Sequence, residues 1–412
     1  MEHYDVIVIG GGASGMMAAG RAAERSKRVL LLEKNEKLGA KLAISGGGRC
    51  NILNKEEDVR ALLKNYGDAE HFLYSPFATF GMPETVSFFE SLGLPIVVQA
   101  RKRAFPHTER AIDVVRTMEK YVKKGMVTIK TATKVSRIVT SATAITHILA
   151  GKAQYSATSY ILATGGMSHP ETGSTGDGFK WLKALGHTVV TPTPTIVPLS
   201  VKEAWVHALS GVSLSFMKIT FFANKEKAFS KTGKVLFTHF GLSGPLILNA
   251  AAEVAELLRY GSIVTATIDT YPDTDLGALE ERLVTVFDAN KNKMLKNIFD
   301  HIVPPGMKDI LGTLFKKIDP ETKVHSITKT QRRTIAETLK ALPLTITGLM
   351  GYDRAVVADG GIPLTELDMK TMRSHVLSNL FITGDLLHIN RPSGGFSLQL
   401  CWTTGYIAGN NV

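Results

Sequence analysis

The amino-acid sequence predicts an α/β protein in which a parallel-sheet domain is interrupted by an inserted block and resumes near the C-terminal end. Three observations carry that expectation. An apolar run, Asp5-Val6-Ile7-Val8-Ile9, leads straight into Gly10-Gly11-Gly12-Ala13-Ser14-Gly15 and a small-residue helix over 16–24. Composition then shifts at Thr191-Pro192-Thr193-Pro194, which reads as a linker. Core-strand sequence returns over 376–383, followed by a glycine-led helix over 395–409.

The opening segment runs strand, glycine turn, helix, strand, acid, the second strand being Val29-Leu30-Leu31-Leu32 and the acid Glu33. In that arrangement Gly10 permits the tight turn, Gly12 admits a pyrophosphate, and Gly15 lets helix and strand pack closely. Ala13 and Ser14 stand at the helix N-terminus, whose free N–H groups and positive dipole end favour phosphate. Glu33 is placed to accept hydrogen bonds from both hydroxyls of an adenosine ribose, and its charge repels a 2′-phosphate. The pocket therefore predicts FAD or NAD, not NADP.

Along the chain, 34–54 reads as a loop rich in glycine and cations, with helices over 83–92 and 109–124. Short segments over 126–131, 134–140 and 144–149 read as an antiparallel meander. The buried strand Tyr160-Ile161-Leu162-Ala163 follows, and a helix over 179–185. The insert shows strands over 217–222 and 234–237, then helices over 245–259, 276–287 and 328–342. The expected domains are 1–192 and 346–412 for the discontinuous cofactor domain, and 193–345 for a substrate or cap domain with a β part followed by a helical part.

At 412 residues with 44% hydrophobic and 21% charged content, the composition is that of a soluble globular protein. No stretch approaches the ~18 apolar residues of a membrane helix, and the first apolar segment is too short for a secretory signal, so a cytoplasmic location is expected. The formal net charge is +11. The cations are dispersed, and their clusters Arg101-Lys102-Arg103, Lys123-Lys124, Lys316-Lys317 and Arg332-Arg333 are short. A solvated basic surface that attracts an anionic cofactor or substrate is therefore favoured over nucleic-acid binding. Only Cys50 and Cys401 occur, without CxxC or metal-ligand spacing; a reduced compartment, no dithiol relay and no metal are expected.

Four further motifs point to a ring-bearing dinucleotide. Ser45-Gly46-Gly47-Gly48-Arg49-Cys50-Asn51 can lay backbone amides against a flat ring or phosphate, with Arg49 as a bidentate anion donor. Ala163-Thr164-Gly165-Gly166 ends a strand at the carboxyl edge, where ligands bind in doubly wound sheets. Leu380-Phe381-Ile382-Thr383-Gly384-Asp385 delivers a carboxylate able to accept from a polyol. A flavin carries such a ribityl chain and nicotinamide dinucleotides lack it, so Asp385 favours FAD. Ser393-Gly394-Gly395-Phe396-Ser397-Leu398 opens the last helix, whose free amides would stabilise negative charge on a reduced flavin. The fold expected is thus a discontinuous Rossmann-type FAD-binding domain with an inserted domain. Lys34 and Lys41, in the cationic loop, join the expected cofactor contacts.

Three long motifs carry a family resemblance: Lys41-Leu42-Ala43-Ile44-Ser45-Gly46-Gly47-Gly48-Arg49-Cys50-Asn51, Gly173-Ser174-Thr175-Gly176-Asp177-Gly178, and Leu236-Phe237-Thr238-His239-Phe240-Gly241-Leu242-Ser243-Gly244-Pro245. Over essentially its whole length the chain resembles the BaiN-like flavoproteins, which include aminoacetone oxidase-type enzymes, within the glutathione-reductase-type FAD superfamily. The resemblance implies FAD contacts at Gly10, Gly12, Gly15, Glu33, Gly48, Arg49, Thr164, Gly165, Gly384, Asp385 and the start of the last helix, with Val135 offering backbone groups to the adenine. Two departures stand out: Asn51-Ile52-Leu53-Asn54 replaces an Asn-x-Thr-Asn pattern, and Gly384-Asp385-Leu386-Leu387-His388-Ile389-Asn390-Arg391-Pro392 replaces a Gly-Glu and acidic Leu-Asp stretch.

A second nicotinamide fingerprint is missing. Either NAD(P)H approaches an open flavin face as a transient reductant, or the organic substrate itself reduces the flavin and oxygen reoxidises it. The expected activity is an FAD-dependent oxidoreductase acting on a small organic molecule, anionic or of the amine/ketone class, held between flavin and insert. His388 and Arg391 are the candidate catalytic or anchoring groups, because they fall between two expected flavin contacts. His239 reads as a packed structural histidine and Cys50 as a packing residue. A flavin-dependent tRNA-modifying enzyme and a non-enzymatic FAD-binding partner protein are the alternatives.

Overall fold

A computed structural model describes residues 1–315 and 318–412; the Lys316-Lys317 cluster lies outside the described residues. Contacts divide the chain into two compact units, Met1–Pro194 with Tyr352–Val412, and Thr195–Gly351. Each has its own hydrophobic core.

In the first unit the opening strand Glu2–Ile9 pairs in parallel with Val29–Leu32 on one side and Ala153–Leu162 on the other. Leu380–Ile382 extends the sheet beyond Ala153–Leu162, and Thr128–Lys130 extends it beyond Val29–Leu32, both in parallel. Val6 to Ile9 and Val29 to Leu32 are buried without alternation, as befits strands covered by helices on both faces. The doubly wound Rossmann-type reading holds. Two segments differ from expectation: Val190–Thr195, read as a linker, is a strand paired with Val357–Gly361, and Thr128–Lys130, expected in the meander, belongs to the parallel sheet. The meander is Val135–Ser141, Ala144–Ala150 and the first residues of Ala153–Leu162. A short edge strand with partial alternation looks locally like a meander strand, and only its distant partner distinguishes the two.

The expected loop over 34–54 holds a short helix, Ala40–Ile44, a 3₁₀ turn, Ser45–Gly48, and a strand, Leu53–Asn54. That strand joins Arg103–Pro106 and Ile96–Gln99 in a small antiparallel sheet. The closing helix, Phe396–Asn410, is buried along most of its length and lies against the first helix, Ala13–Glu24.

Among the described residues, the second unit holds a closed barrel of six antiparallel strands, closed by Leu199–Val201 against Leu342–Leu349. Its helical part does not follow the β part. It lies in the chain between Val264–Asp269 and Leu342–Leu349, two strands that pair directly. The helix Lys329–Lys340 begins with a capping box in which Thr328 and Gln331 bond reciprocally. His239 is exposed in the turn between Glu226–Thr238 and Gly241–Ser243, not packed. Its apolar neighbours belong to the strands, and the turn itself carries the ring outward against Phe240.

Candidate cofactor site

The carboxyl ends of the central strands bring the glycine motifs to one edge. Gly10 leaves the opening strand with φ 108°, a conformation that favours glycine, and a Cβ there would strike the Ala163 carbonyl. A Cβ on Gly15 would strike the Gly10 carbonyl oxygen, so turn and helix can meet only without side chains. A Cβ on Gly12 would meet nothing within 4 Å. No side chain caps this helix, and its first internal bond runs from Met16 N–H to the Gly12 carbonyl at 2.9 Å. The amides ahead of it remain available to an anion.

Glu33 is only 8% exposed. Its Oε2 accepts from Gly11 N–H at 2.7 Å and its Oε1 from Asn35 N–H at 2.8 Å. Two backbone donors thus fix the carboxylate at the end of the second strand, with lone pairs left for hydroxyls. Val135, buried, opens the neighbouring meander and pairs with Ala150.

Gly46, Gly47 and Gly48 are all left-handed, and a Cβ on Gly47 or Gly48 would meet nothing within 4 Å. Arg49 does not extend freely. Its guanidinium donates to Gln99 Oε1 at 2.7 Å, pairs with Glu109 at 2.6 Å and lies 4.4 Å from the Phe105 ring centroid. Three buried polar atoms here have no protein partner: Arg49 Nε, Asn51 Oδ1 and Thr164 Oγ1. Each such atom costs about 1–3 kcal/mol unless a ligand reaches it. Cys50 is fully buried, and burial pushes its thiol up to about 12; the thiol packs, as its sequence setting suggests.

Residues 4–411 match the family described as HI0933-like protein Rossmann domain. The chain belongs to that family. Similar relatives include the 3-dehydro-bile acid delta(4,6)-reductase of Clostridium scindens, 29% identical over 98% of this chain and 97% of its own. The ribosomal RNA dihydrouridine synthase of Escherichia coli is 26% identical over 100% of this chain and 98% of its own. Among solved structures, 3-ketosteroid delta1-dehydrogenase from Sterolibacterium denitrificans superposes with TM-score 0.55 at 13% identity, over 100% of this chain and 99% of its own. The family is one of FAD-dependent oxidoreductases, and the structural likeness shows a shared fold. Among the described residues, no helix is long and apolar enough to cross a membrane.

The carboxyl edge is completed by an ion network that no local pattern announces. Asp385 pairs with Lys41 at 3.2 Å and with the Arg391 guanidinium. Desolvation raises the Asp385 pKa, but Lys41 and Arg391 outweigh it and hold the carboxyl below its ordinary value. Lys41 also donates to Ser168 Oγ at 2.5 Å. Arg391 is buried, and its remaining donors go to the Ile389 carbonyl at 2.6 Å and Ser397 Oγ at 3.0 Å. It thereby ties Gly384-Asp385 to the start of the closing helix. Gly384 N–H donates to Thr404 Oγ1 at 3.0 Å, and Gly395 lies against the Leu53 carbonyl. Phe396 is buried edge-on to Tyr66, whose hydroxyl donates to the Phe396 carbonyl at 2.9 Å. Leu398 packs partly buried against the core.

Two expected site residues, the cofactor contact Lys34 and the candidate catalytic group Arg391, are otherwise engaged. Lys34 donates to Thr175 Oγ1 at 2.6 Å and pairs with Asp177 at 2.9 Å, which anchors the Gly173 to Gly178 loop. Arg391 spends its guanidinium on protein acceptors. His388 differs from it: 38% of its side chain is exposed, and its Nε2 lies 3.7 Å from Asp359 Oδ1.

Proposed function

We propose that this protein is an FAD-dependent reductase that adds hydrogen across a carbon–carbon double bond conjugated to a carbonyl, with NAD(P)H as reductant. The observation that carries the reading is the convergence of Gly10 to Gly15, Glu33, Gly46 to Gly48, Thr164-Gly165, Gly384-Asp385 and Gly395 to Leu398 on one sheet edge. Open glycines and orphaned buried polar atoms there fit a dinucleotide with a flat ring. The activities named for both relatives reduce this bond type: a Δ4,6 unsaturation beside a 3-oxo group, and the uracil ring double bond beside its carbonyl. That common chemistry supports reduction over amine oxidation.

In this reading Glu33 holds the adenosine ribose, and the first helix's amides hold the pyrophosphate. Lys41 and Arg391 fix Asp385 toward the ribityl hydroxyls, so Arg391 is a positioning residue. Bound FAD supplies a two-electron hydride carrier. The overall change places a hydride on the carbon β to the carbonyl and a proton on the α carbon, while NAD(P)H is oxidised to NAD(P)⁺. His388, partly exposed with its Nε2 3.7 Å from Asp359 Oδ1, holds that proton at Nδ1, the ring nitrogen other than the one beside the carboxylate. The amides of the closing helix stabilise negative charge developing beside them.

The test is anaerobic rapid mixing of the yellow holoprotein with NADH or NADPH, then with a conjugated enone. Flavin absorbance is expected to bleach with the nicotinamide and return with the enone, not with the saturated ketone. His388→Ala is expected to keep its flavin and slow the second phase by roughly 10²–10⁴-fold, the usual contribution of a general acid. A colourless protein, or recolouring by oxygen alone, would overturn the proposal.

A further inference from the structure

The closing helix begins on two residues that are far from it in sequence. A Cβ on Gly395 would lie 2.3 Å from the carbonyl carbon of Leu53 and 2.6 Å from the amide nitrogen of Asn54, so the turn that opens the helix sits directly on the strand Leu53–Asn54. Gly394 and Gly395 adopt φ 130° and 104°, a path open to glycine. Further along the helix, Trp402 Nε1 donates to the Ile52 carbonyl at 3.1 Å.

Asn54 fastens that turn. It is buried, and its Nδ2 donates to the Gly394 carbonyl at 3.1 Å and to the Arg101 carbonyl at 3.3 Å. Both acceptors are carbonyl oxygens, so the clamp needs two N–H bonds on one nitrogen, which neither a carboxylate nor an aliphatic side chain of similar size supplies. The second anchor is itself strained. Arg101 and Lys102 are consecutive left-handed residues, with φ 61° and 57°, and non-glycine residues hold such conformations only where the surroundings impose them. Lys55 N–H grips the Lys102 carbonyl at 2.7 Å. Partial burial and then the Arg101 and Arg49 charges lower the Arg103 pKa, so like charges press on the turn that Asn54 closes.

What the clamp holds is a set of donors. The first internal bond of the closing helix runs from Gln399 N–H to the Gly395 carbonyl at 3.2 Å, and no side chain caps the helix. The N–H groups of Phe396, Ser397 and Leu398 lie ahead of that bond, without an intrahelical acceptor. Their direction follows from the peptide planes of Gly394 and Gly395, and Asn54 grips the carbonyl of the first. Donors stabilise developing charge to the extent that their geometry is fixed beforehand.

We infer that Asn54 is a positioning residue for the reducing site: by holding the Gly394 carbonyl it aims the amides at the start of the closing helix toward the negative charge of reduced flavin, and so raises the flavin's reduction potential. The inference rests on reading that helix start as part of the FAD edge. It is tested on full-length, FAD-loaded protein by anaerobic equilibration against dyes of known potential. Asn54→Leu is expected to stabilise reduced relative to oxidised flavin about tenfold less, a two-electron midpoint about 30 mV more negative. Asn54→Ser, which retains one donor, is expected to shift less in the same direction. The control is Asn379→Ala, which breaks the paired bonds of Asn379 with Ile145 at 2.9 and 2.8 Å, before the strand Leu380–Ile382 and away from its carboxyl end. It is expected to lower the melting temperature and leave the potential in place. A wild-type or more positive potential in Asn54→Leu, or an equal negative shift in the control, overturns the inference. Should Asn54→Leu release its flavin, Asn54→Ser decides, and a wild-type potential there overturns it. Enone reduction by the same preparations separates the two ideas. If wild type reduces the enone and Asn54→Leu keeps the wild-type potential, only the clamp falls; if the shift appears in a protein that reduces no enone, only the reducing reading does.

Discussion

Glu33 illustrates how much one carboxylate can hold together. Its oxygens accept from Gly11 and Asn35, which fixes the end of the second strand against the glycine turn. Hydrogen bonds to charged groups contribute about 1.5–3 kcal/mol, and loss of the carboxylate removes such a bond to ribose and orphans two amides. Glu33→Ala is therefore expected to weaken FAD retention by roughly 10–100-fold by the same measure, read as flavin released on ultrafiltration; equal retention would remove the ribose role. Asp385 gives a pH prediction. Its native pKa is depressed by Lys41 and Arg391 against desolvation, so its stabilising contribution is complete above the unfolded value of about 3.9. That contribution is lost as pH falls through the lower native value. Wild-type melting temperature should drop more steeply than that of Asp385→Asn over this acid range, and parallel profiles would show that the ion network adds nothing.

At the scale of elements, the closing helix depends on small residues. A Cβ on Gly405 would strike the Ser14 carbonyl oxygen, and one on Gly409 the Ala18 carbonyl, so the two helices approach backbone to backbone. Overpacking alone costs about 1–3 kcal/mol. Gly405→Leu is expected to lower stability by at least that much and to displace Gly384 and Ser14, with flavin lost at lower denaturant than in wild type. The sequence reading reached the first β-α-β unit because its apolar runs, glycines and acid lie within about thirty residues, the span of such a motif. It also reached the strand ends Thr164 and Asp385, whose glycines mark the carboxyl edge. It did not reach the Leu53–Asn54 sheet, Thr128–Lys130 or closure of the barrel, because each depends on partners distant in sequence. The ion network was hidden for the same reason, since Lys41 and Asp385 meet across 344 positions. The cations counted as dispersed were hidden likewise: Arg49 and Arg103 are separate in sequence and close in space.

At the scale of the whole molecule, two cores predict two unfolding events. Ile7, Leu31, Ile161 and Trp402 belong to one core, and Ile219, Phe237, Ile268 and Leu344 to the other. The second unit is a closed barrel that satisfies its own strand edges, so its cooperativity does not require the first. Every proposed FAD contact lies in the first unit. A ligand that binds only the native state stabilises by about 2.7 kcal/mol at a hundred times its dissociation constant. For a unit of this size that amounts to roughly 5–11 °C. Differential scanning calorimetry of apo and FAD-loaded full-length protein should therefore resolve two transitions, of which FAD raises one by several degrees and leaves the other in place. A single transition moving as a whole would mean that the units unfold together. A shift confined to the barrel, tracked by Trp205 fluorescence in a Trp181→Phe/Trp402→Phe background, would place the dinucleotide in the wrong unit and remove the sheet-edge site with it.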